Sequence, residues 1–139
     1  MERPEAHALS QNMTRATEIG RISGYHAHIY YDERSRAAAE HLRRALPQRF
    51  KLELGHWHDE PIGPHPQSMY QVKFKSGEFA RVVPWLMLNR AGLSILVHPE
   101  TGNDYADHAS NALWLGEKLK LRLAVFRAFE KHSRSSARR

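Results

Sequence analysis

An α+β sandwich is the fold class this sequence predicts, and three observations predict it. Four short apolar or aromatic runs, at 24–31, 50–54, 69–74 and 93–97, have strand length, and those at 50–54 and 69–74 alternate with a two-residue period. Two longer stretches, 33–46 and 77–90, carry apolar residues at helical spacing instead. Their order is β-α-β-loop-β-α-β, the split βαβ of a ferredoxin-like sandwich, in which helices cover one sheet face and leave the other open. The chain has 139 residues, enough for one domain with one core.

Each element has a local reason. The first strand, 24–31, is rich in aromatic residues and ends at Asp32, which is placed to cap a helix over 33–46. Ala38, Leu42, Ala45 and Leu46 form that helix's inner face, and Pro47 ends it. In 50–54, Phe50, Leu52 and Leu54 face one way and Lys51 and Glu53 the other. The 14-residue stretch 55–68 holds three prolines, two glycines and three histidines, and structureless loops of that length are usually functional or disordered. Tyr70, Val72 and Phe74 share a face of the next strand. Phe79, Val82, Val83 and Leu86 give the second helix its apolar side, with Pro84 costing a bond or a kink and Gly92 as a stop. After the strand at 93–97, residues 104–115 have the pattern of a third helix stopped by Gly116, and 118–123 alternates charge with leucine as a fifth, edge strand. The expected domain is therefore 23–124, between a loosely attached lead-in at 1–22 and a basic tail at 125–139.

Composition narrows the function. Cysteine is absent, which excludes disulfides, thiolate metal sites and cysteine nucleophiles, so any metal must be held by nitrogen and oxygen. The net charge is +6, but Lys131, Arg134, Arg138 and Arg139 in the tail account for four of those charges. A solvated basic terminus explains them better than a nucleic-acid groove, and no specific nucleic-acid partner is expected. No apolar run is long enough to span a membrane, and the first five residues lack the layout of a signal peptide, so a cytoplasmic protein is expected.

Histidine is the unusual residue, with ten in the chain. Side chains alternate across a strand, so Ala27, Ile29 and Tyr31 share one face of the first strand and His26, His28 and Tyr30 the other. In the fourth, Ile95 and Val97 face the core while Leu96 and His98 point away. The first and fourth strands are neighbours in a split βαβ sheet, so His28 and His98 are expected to meet on the open face. The long loop adds His65 between Pro64 and Pro66, whose stiffness lowers the entropy cost of holding a ligand. His28, His65 and His98 are thus the candidate metal ligands, and three imidazoles with an open position make a catalytic arrangement. His26 has the spacing to reach the same metal, to support a ligand from behind, or to be an edge residue. His7, His41 and His132 read as solvent-facing. Asp104 and His108, four residues apart on a helix, form a pair in which an acid orients an imidazole.

Four ordered motifs carry a family resemblance: Tyr25-His26-Ala27-His28-Ile29-Tyr30, Pro61-Ile62-Gly63-Pro64-His65-Pro66, Leu96-Val97-His98-Pro99-Glu100-Thr101-Gly102, and Asp107-His108 followed by Trp114-Leu115-Gly116. From about Gly24 to Leu121 the chain resembles the DOPA 4,5-dioxygenase family of small ring-cleaving enzymes. The resemblance implies a ferredoxin-like fold, a non-haem metal, and extradiol cleavage of a catechol, DOPA-like or caffeate-like, by O2. Fe(II) is the implied metal, with Zn an alternative occupant. The usual extradiol site pairs two histidines with a carboxylate. Glu53, Asp59, Glu100 and Asp104 are the carboxylates available here, and a three-histidine site is equally open.

Such chemistry needs a group that takes a proton from the catechol and later returns one, which an imidazole titrating near neutrality does. His108 is the first candidate for that catalytic role and His58 the second. Tyr30, Trp57 and Tyr70 are placed either to wall an aromatic pocket or simply to pack. An open sheet face with apolar content favours a homodimer formed across it or beside it. Two other functions use the same residues: a non-enzymatic module binding a small aromatic or a metal, and a zinc-dependent hydrolase or lyase.

Overall fold

The computed structural model describes residues 15–127. Five strands form one antiparallel sheet in the order β2-β3-β1-β4-β5: β1 (Tyr25–Tyr31), β2 (Glu53–Leu54), β3 (Ser68–Phe74), β4 (Ile95–Pro99) and β5 (Leu113–Leu115). Helices α1 (Arg36–Arg49) and α2 (Phe79–Asn89) join β1 to β2 and β3 to β4, and a short α3 (Asp104–His108) precedes β5. The first four strands and two helices have the order and pairing of the ferredoxin-like sandwich. No helix among the described residues is long and apolar enough to cross a membrane. His7, His132 and most of the basic tail lie outside the described residues.

The two-residue period assigns the core as expected. Ala27, Ile29 and Tyr31 of β1, Tyr70, Val72 and Phe74 of β3, and Ile95 and Val97 of β4 pack beneath Ala39, Leu42 and Leu46 of α1 and Val82, Val83 and Leu86 of α2. In α1 Ala39 takes the inner position expected of Ala38, and Ala38 and Ala45 stay only partly buried. Asp32 does not cap α1 directly. It accepts from the Ser35 backbone and hydroxyl, both at 2.9 Å, and the helix starts one turn later than expected, at Arg36. Pro47 lies inside the last turn of α1, where it forfeits only its own N–H bond, so the helix runs on to Arg49. Phe50 and Leu52 pack on the core without pairing, which shortens β2 to two residues.

Beyond β4 the expectations change. The helix expected over 104–115 ends at His108, and Leu113, Trp114 and Leu115 instead pair with Val97, Leu96 and Ile95. Pairing sends Leu115 into the main core and Trp114 to the opposite face, a separation that one side of a helix cannot provide. The edge position is therefore taken by β5, and 118–123 forms no strand. Its leucines pack flat instead: Leu119 and Leu121 cover a second cluster of Tyr30, Met69 and Leu96. Arg122 N–H donates to the Pro64 carbonyl at 2.8 Å, joining this segment to the β2–β3 loop. The part of the sheet's second face around Tyr30, Met69 and Leu96 is thus covered by the chain itself.

Candidate functional site

Beneath that cover the sheet register brings the histidines together. Opposite His26 on β1 stand His98 on β4 and Lys73 on β3, and the next outward-facing row holds Leu96, His28 and Gln71. Nε2 of His28 lies 3.0 Å from Nε2 of His98. His65 arrives from the long loop, where Gly63 at φ +56° permits the turn closed by the His65 N–H on the Ile62 carbonyl at 3.0 Å. Its ring sits 4.2 Å from that of His28. His108 comes from the end of α3, its ring 4.0 Å from His98 and 5.9 Å from His28. The Phe126 ring lies 4.6 Å from that of His108.

His28, His65 and His98 are buried, His26 and His108 partly so. Nitrogens of His28, His65 and His108 lie within 4.8 Å of one another, and so do nitrogens of His26, His28 and His98. His28 is common to both groups. His65 and His98 each approach His28, but the three do not form one such group among the described residues.

Hydrogen bonds decide which nitrogen each ring presents. A carbonyl can only accept, so Nδ1–H of His98 donates to Pro99 O at 3.0 Å and Nδ1–H of His108 donates to Asp104 O at 2.8 Å. Both rings therefore carry their lone pair on Nε2. The 3.0 Å contact between the two Nε2 atoms then makes His28 the donor, which leaves its Nδ1 a buried acceptor with no partner. His65 Nδ1 is bonded to the Tyr30 hydroxyl at 2.6 Å. Burial holds the rings neutral, pushing His28 well below the usual 6.5, His98 to about 3, and His26 and His65 to about 4, with neighbouring imidazoles adding to it. His108 is lowered by burial too, opposed by the Asp104 carbonyl and the Asp104 and Asp107 carboxylates.

A buried array of neutral nitrogen donors, one lone pair orphaned and no thiolate among them, fits a divalent metal of the iron or zinc type. Acid should expose the same feature. In metal-free protein the unfolded chain takes up protons near the usual histidine value while the folded one resists until about pH 4 to 3. Stability is thus full above about pH 6.5 and falls as pH drops toward those lowered values. Thermal melts in a chelator should lose several degrees between pH 7 and 4.5. A melting temperature constant over that range would contradict the burial argument.

Other candidates separate clearly. His58 pairs with Met69 across an isolated bridge at the edge of this face, near enough for its charge to be felt at His65. Trp57 and Tyr70 belong to the helix-side core, whereas Tyr30 joins the site through His65. Asp59 is occupied by Tyr31 and Arg36, and Glu53 is exposed on β2. The Asp104 carboxylate does not orient His108; its main-chain carbonyl does. Asp107 is the buried acid, accepting from the Thr101 N–H at 2.8 Å and the Thr101 hydroxyl at 2.6 Å, which fixes the turn that presents His108. Glu100 Oε1 lies 3.0 Å from Nδ1 of His26.

Comparison with known proteins identifies the family and supports the fold. A "DOPA 4,5-dioxygenase" of Amanita muscaria is 36% identical over 112 residues, 74% of this chain and 49% of that one, so the match spans about half of the fungal protein. A Botryotinia fuckeliana protein known only by its 21.2 kDa mass is 34% identical over 88% of this chain and 75% of its own. The crystal structure of a "putative dioxygenase" from Nostoc punctiforme superposes with a TM-score of 0.81 at 52% identity, covering 82% of this chain and 99% of that one. These relatives support a dioxygenase. The profile of the Dopa 4,5-dioxygenase family matches residues 25–125, and the chain belongs to that family.

Proposed function

We propose that this protein is a metal-dependent extradiol dioxygenase that opens the ring of a catechol with O2. The observation that carries the reading is the buried cluster of neutral imidazoles around His28, whose orphaned nitrogen calls for an electrophile. In this reading His28, His65 and His98 hold the ion, with Fe(II) the expected native metal and Zn an alternative occupant. When bound, the metal supplies a redox-active position where catechol and dioxygen meet.

The chain's own residues do the rest. Tyr30 holds the His65 ring through its hydroxyl. The Asp104 carbonyl keeps the proton of His108 on Nδ1, so Nε2 is free to take a proton from the catechol hydroxyl and return it later. His58 is the reserve for that role. Leu119 and Leu121 exclude water from the buried side, which strengthens every electrostatic interaction within.

After anaerobic loading with Fe(II), caffeate, protocatechuate and DOPA should be screened with an oxygen electrode. Uptake of one O2 per turnover with a yellow ring-opened product is expected from at least one of them. No uptake from any member at verified iron loading would leave a binding module, and anaerobic turnover with Zn would indicate a hydrolase.

A further inference from the structure

The helix side of the sheet, away from the histidines, carries a cavity of about 740 Å³. Glu40, Arg43, Arg44 and Gln48 of α1 line it, with Leu54 and Trp57 opposite. Its size is that of a small-molecule pocket, roughly 300–1,000 Å³. Leu54 and Trp57 pack on the helix-side core, which sets the cavity on the other side of the sheet from His28 and His98. The Tyr70 hydroxyl donates to the Ala39 carbonyl at 2.8 Å, which pins α1 against β3 and brings Arg43, one turn later, beside the Tyr70 ring. The Arg43 guanidinium carbon stands 5.0 Å from the centre of that ring and 5.2 Å from that of Trp57. Aromatic faces steady such a cation without neutralising it. Its Nη1 is buried and has no hydrogen-bond partner among the described residues.

We infer that this cavity is a second binding site, for a small organic carboxylate with a planar apolar body, and that Arg43 is its anchor. The charges around it are unevenly matched. Arg36 pairs with Glu40 and, through Nε at 3.0 Å, with Asp59. Arg43 and Arg44 have no carboxylate within ion-pairing distance among the described residues. Glu40, the acid of the lining, is held by Arg36 and so does not neutralise Arg43. A guanidinium presents its N–H donors as a rigid fork that matches a carboxylate, and such charge-assisted pairs are about twice as strong as neutral ones. A bound carboxylate therefore meets Arg43, with the exposed Arg44 as a second cation at the rim. Its apolar body lies along Trp57 and Leu54. An uncharged aromatic would leave Arg43 unmatched, and a polyphosphate would find no use for the apolar wall. The site is independent of the metal-dependent reading.

Benzoate, titrated into metal-free ¹⁵N-labelled protein and followed at the tryptophan indole N–H signals, tests this. The three tryptophans report separate places: Trp57 in the cavity, Trp114 stacked on Tyr30 at the histidine face, and Trp85 against Phe50 on the helix side. Loss of one signal in Trp57→Phe identifies that of Trp57. Benzoate should shift it saturably at millimolar concentration or below while the Trp114 signal stays in place. Benzyl alcohol, of similar size but uncharged, should not saturate it. Arg43→Met keeps an unbranched stem against Trp57 and Tyr70 but lacks the fork, and should weaken benzoate binding by at least about tenfold. Arg43→Lys, with the charge but not the fork, should fall between this variant and the wild type. Circular dichroism checks folding; if Arg43→Met does not fold, weakened binding in Arg43→Lys supports the anchor and full affinity overturns it. No saturable shift at Trp57, equal saturation by benzyl alcohol, or unchanged benzoate affinity in Arg43→Met would each overturn the site. A shift at Trp114 in place of Trp57 would put the carboxylate on the histidine face and overturn it as well.

Discussion

His28→Ala will lower metal affinity by at least about tenfold, and the loss should exceed that from any other single histidine. Outer partners of metal ligands already contribute about 10–100-fold, and His28 is the member common to both nitrogen groups. It is buried at the middle of β1, among the rings of the other histidines. His65→Ala and His98→Ala should each cost affinity for the same reason, His98 through the 3.0 Å contact with His28 and His65 through its ring 4.2 Å away. Metal content after equilibration with limiting Fe(II) or Zn, set beside circular dichroism to confirm folding, measures all three. Full occupancy in the three variants would refute the ligand set. Occupancy lost in His28→Ala and His98→Ala but kept in His65→Ala would move the third position to His26.

The second large effect belongs to His108. If it carries the proton, His108→Ala should retain metal and substrate affinity yet lower turnover by about 10²–10⁴-fold, the usual contribution of general acid–base catalysis. His108→Gln should behave alike, because glutamine hydrogen-bonds but does not titrate near neutrality. The geometry sharpens this test, since a nitrogen of His108 lies within 4.8 Å of nitrogens of His28 and His65. Loss of bound metal in either variant would make His108 a ligand. Unchanged turnover would pass the proton-carrying role to His58, which sits at the rim of the same face.

Much of this centre is legible in the chain because strand parity is a local rule. Once 25–31 and 95–99 are strands and Ile29, Ile95 and Val97 face the core, His26, His28 and His98 must share the other face. His65 is legible for a different reason, the two prolines that flank it within an otherwise irregular loop. The path of the chain after β4 is not legible in the same way. Residues 104–115 satisfy a helical period, and they divide between α3, a turn and β5 because pairing along β4 lets Leu115 and Trp114 bury on opposite faces. The leucines of 118–123 have strand alternation, but β5 already occupies the edge of the sheet, so they cover a face rather than extend it.

The sequence by itself determined the split βαβ order, the two faces of the sheet and the histidines that one face collects. These follow from periods of two and about four residues, which act over a few neighbours. Only the tertiary structure decided which nitrogen each imidazole presents. That depends on partners supplied by the fold: the Tyr30 hydroxyl for His65, the Pro99 carbonyl for His98, the Asp104 carbonyl for His108. It also decided that part of the face is covered, by segments nearly sixty residues apart in sequence that meet where Arg122 N–H reaches the Pro64 carbonyl. A local period records which side of the sheet a residue faces; its hydrogen-bond partner and its burial depend on contacts between distant segments, which no local pattern records.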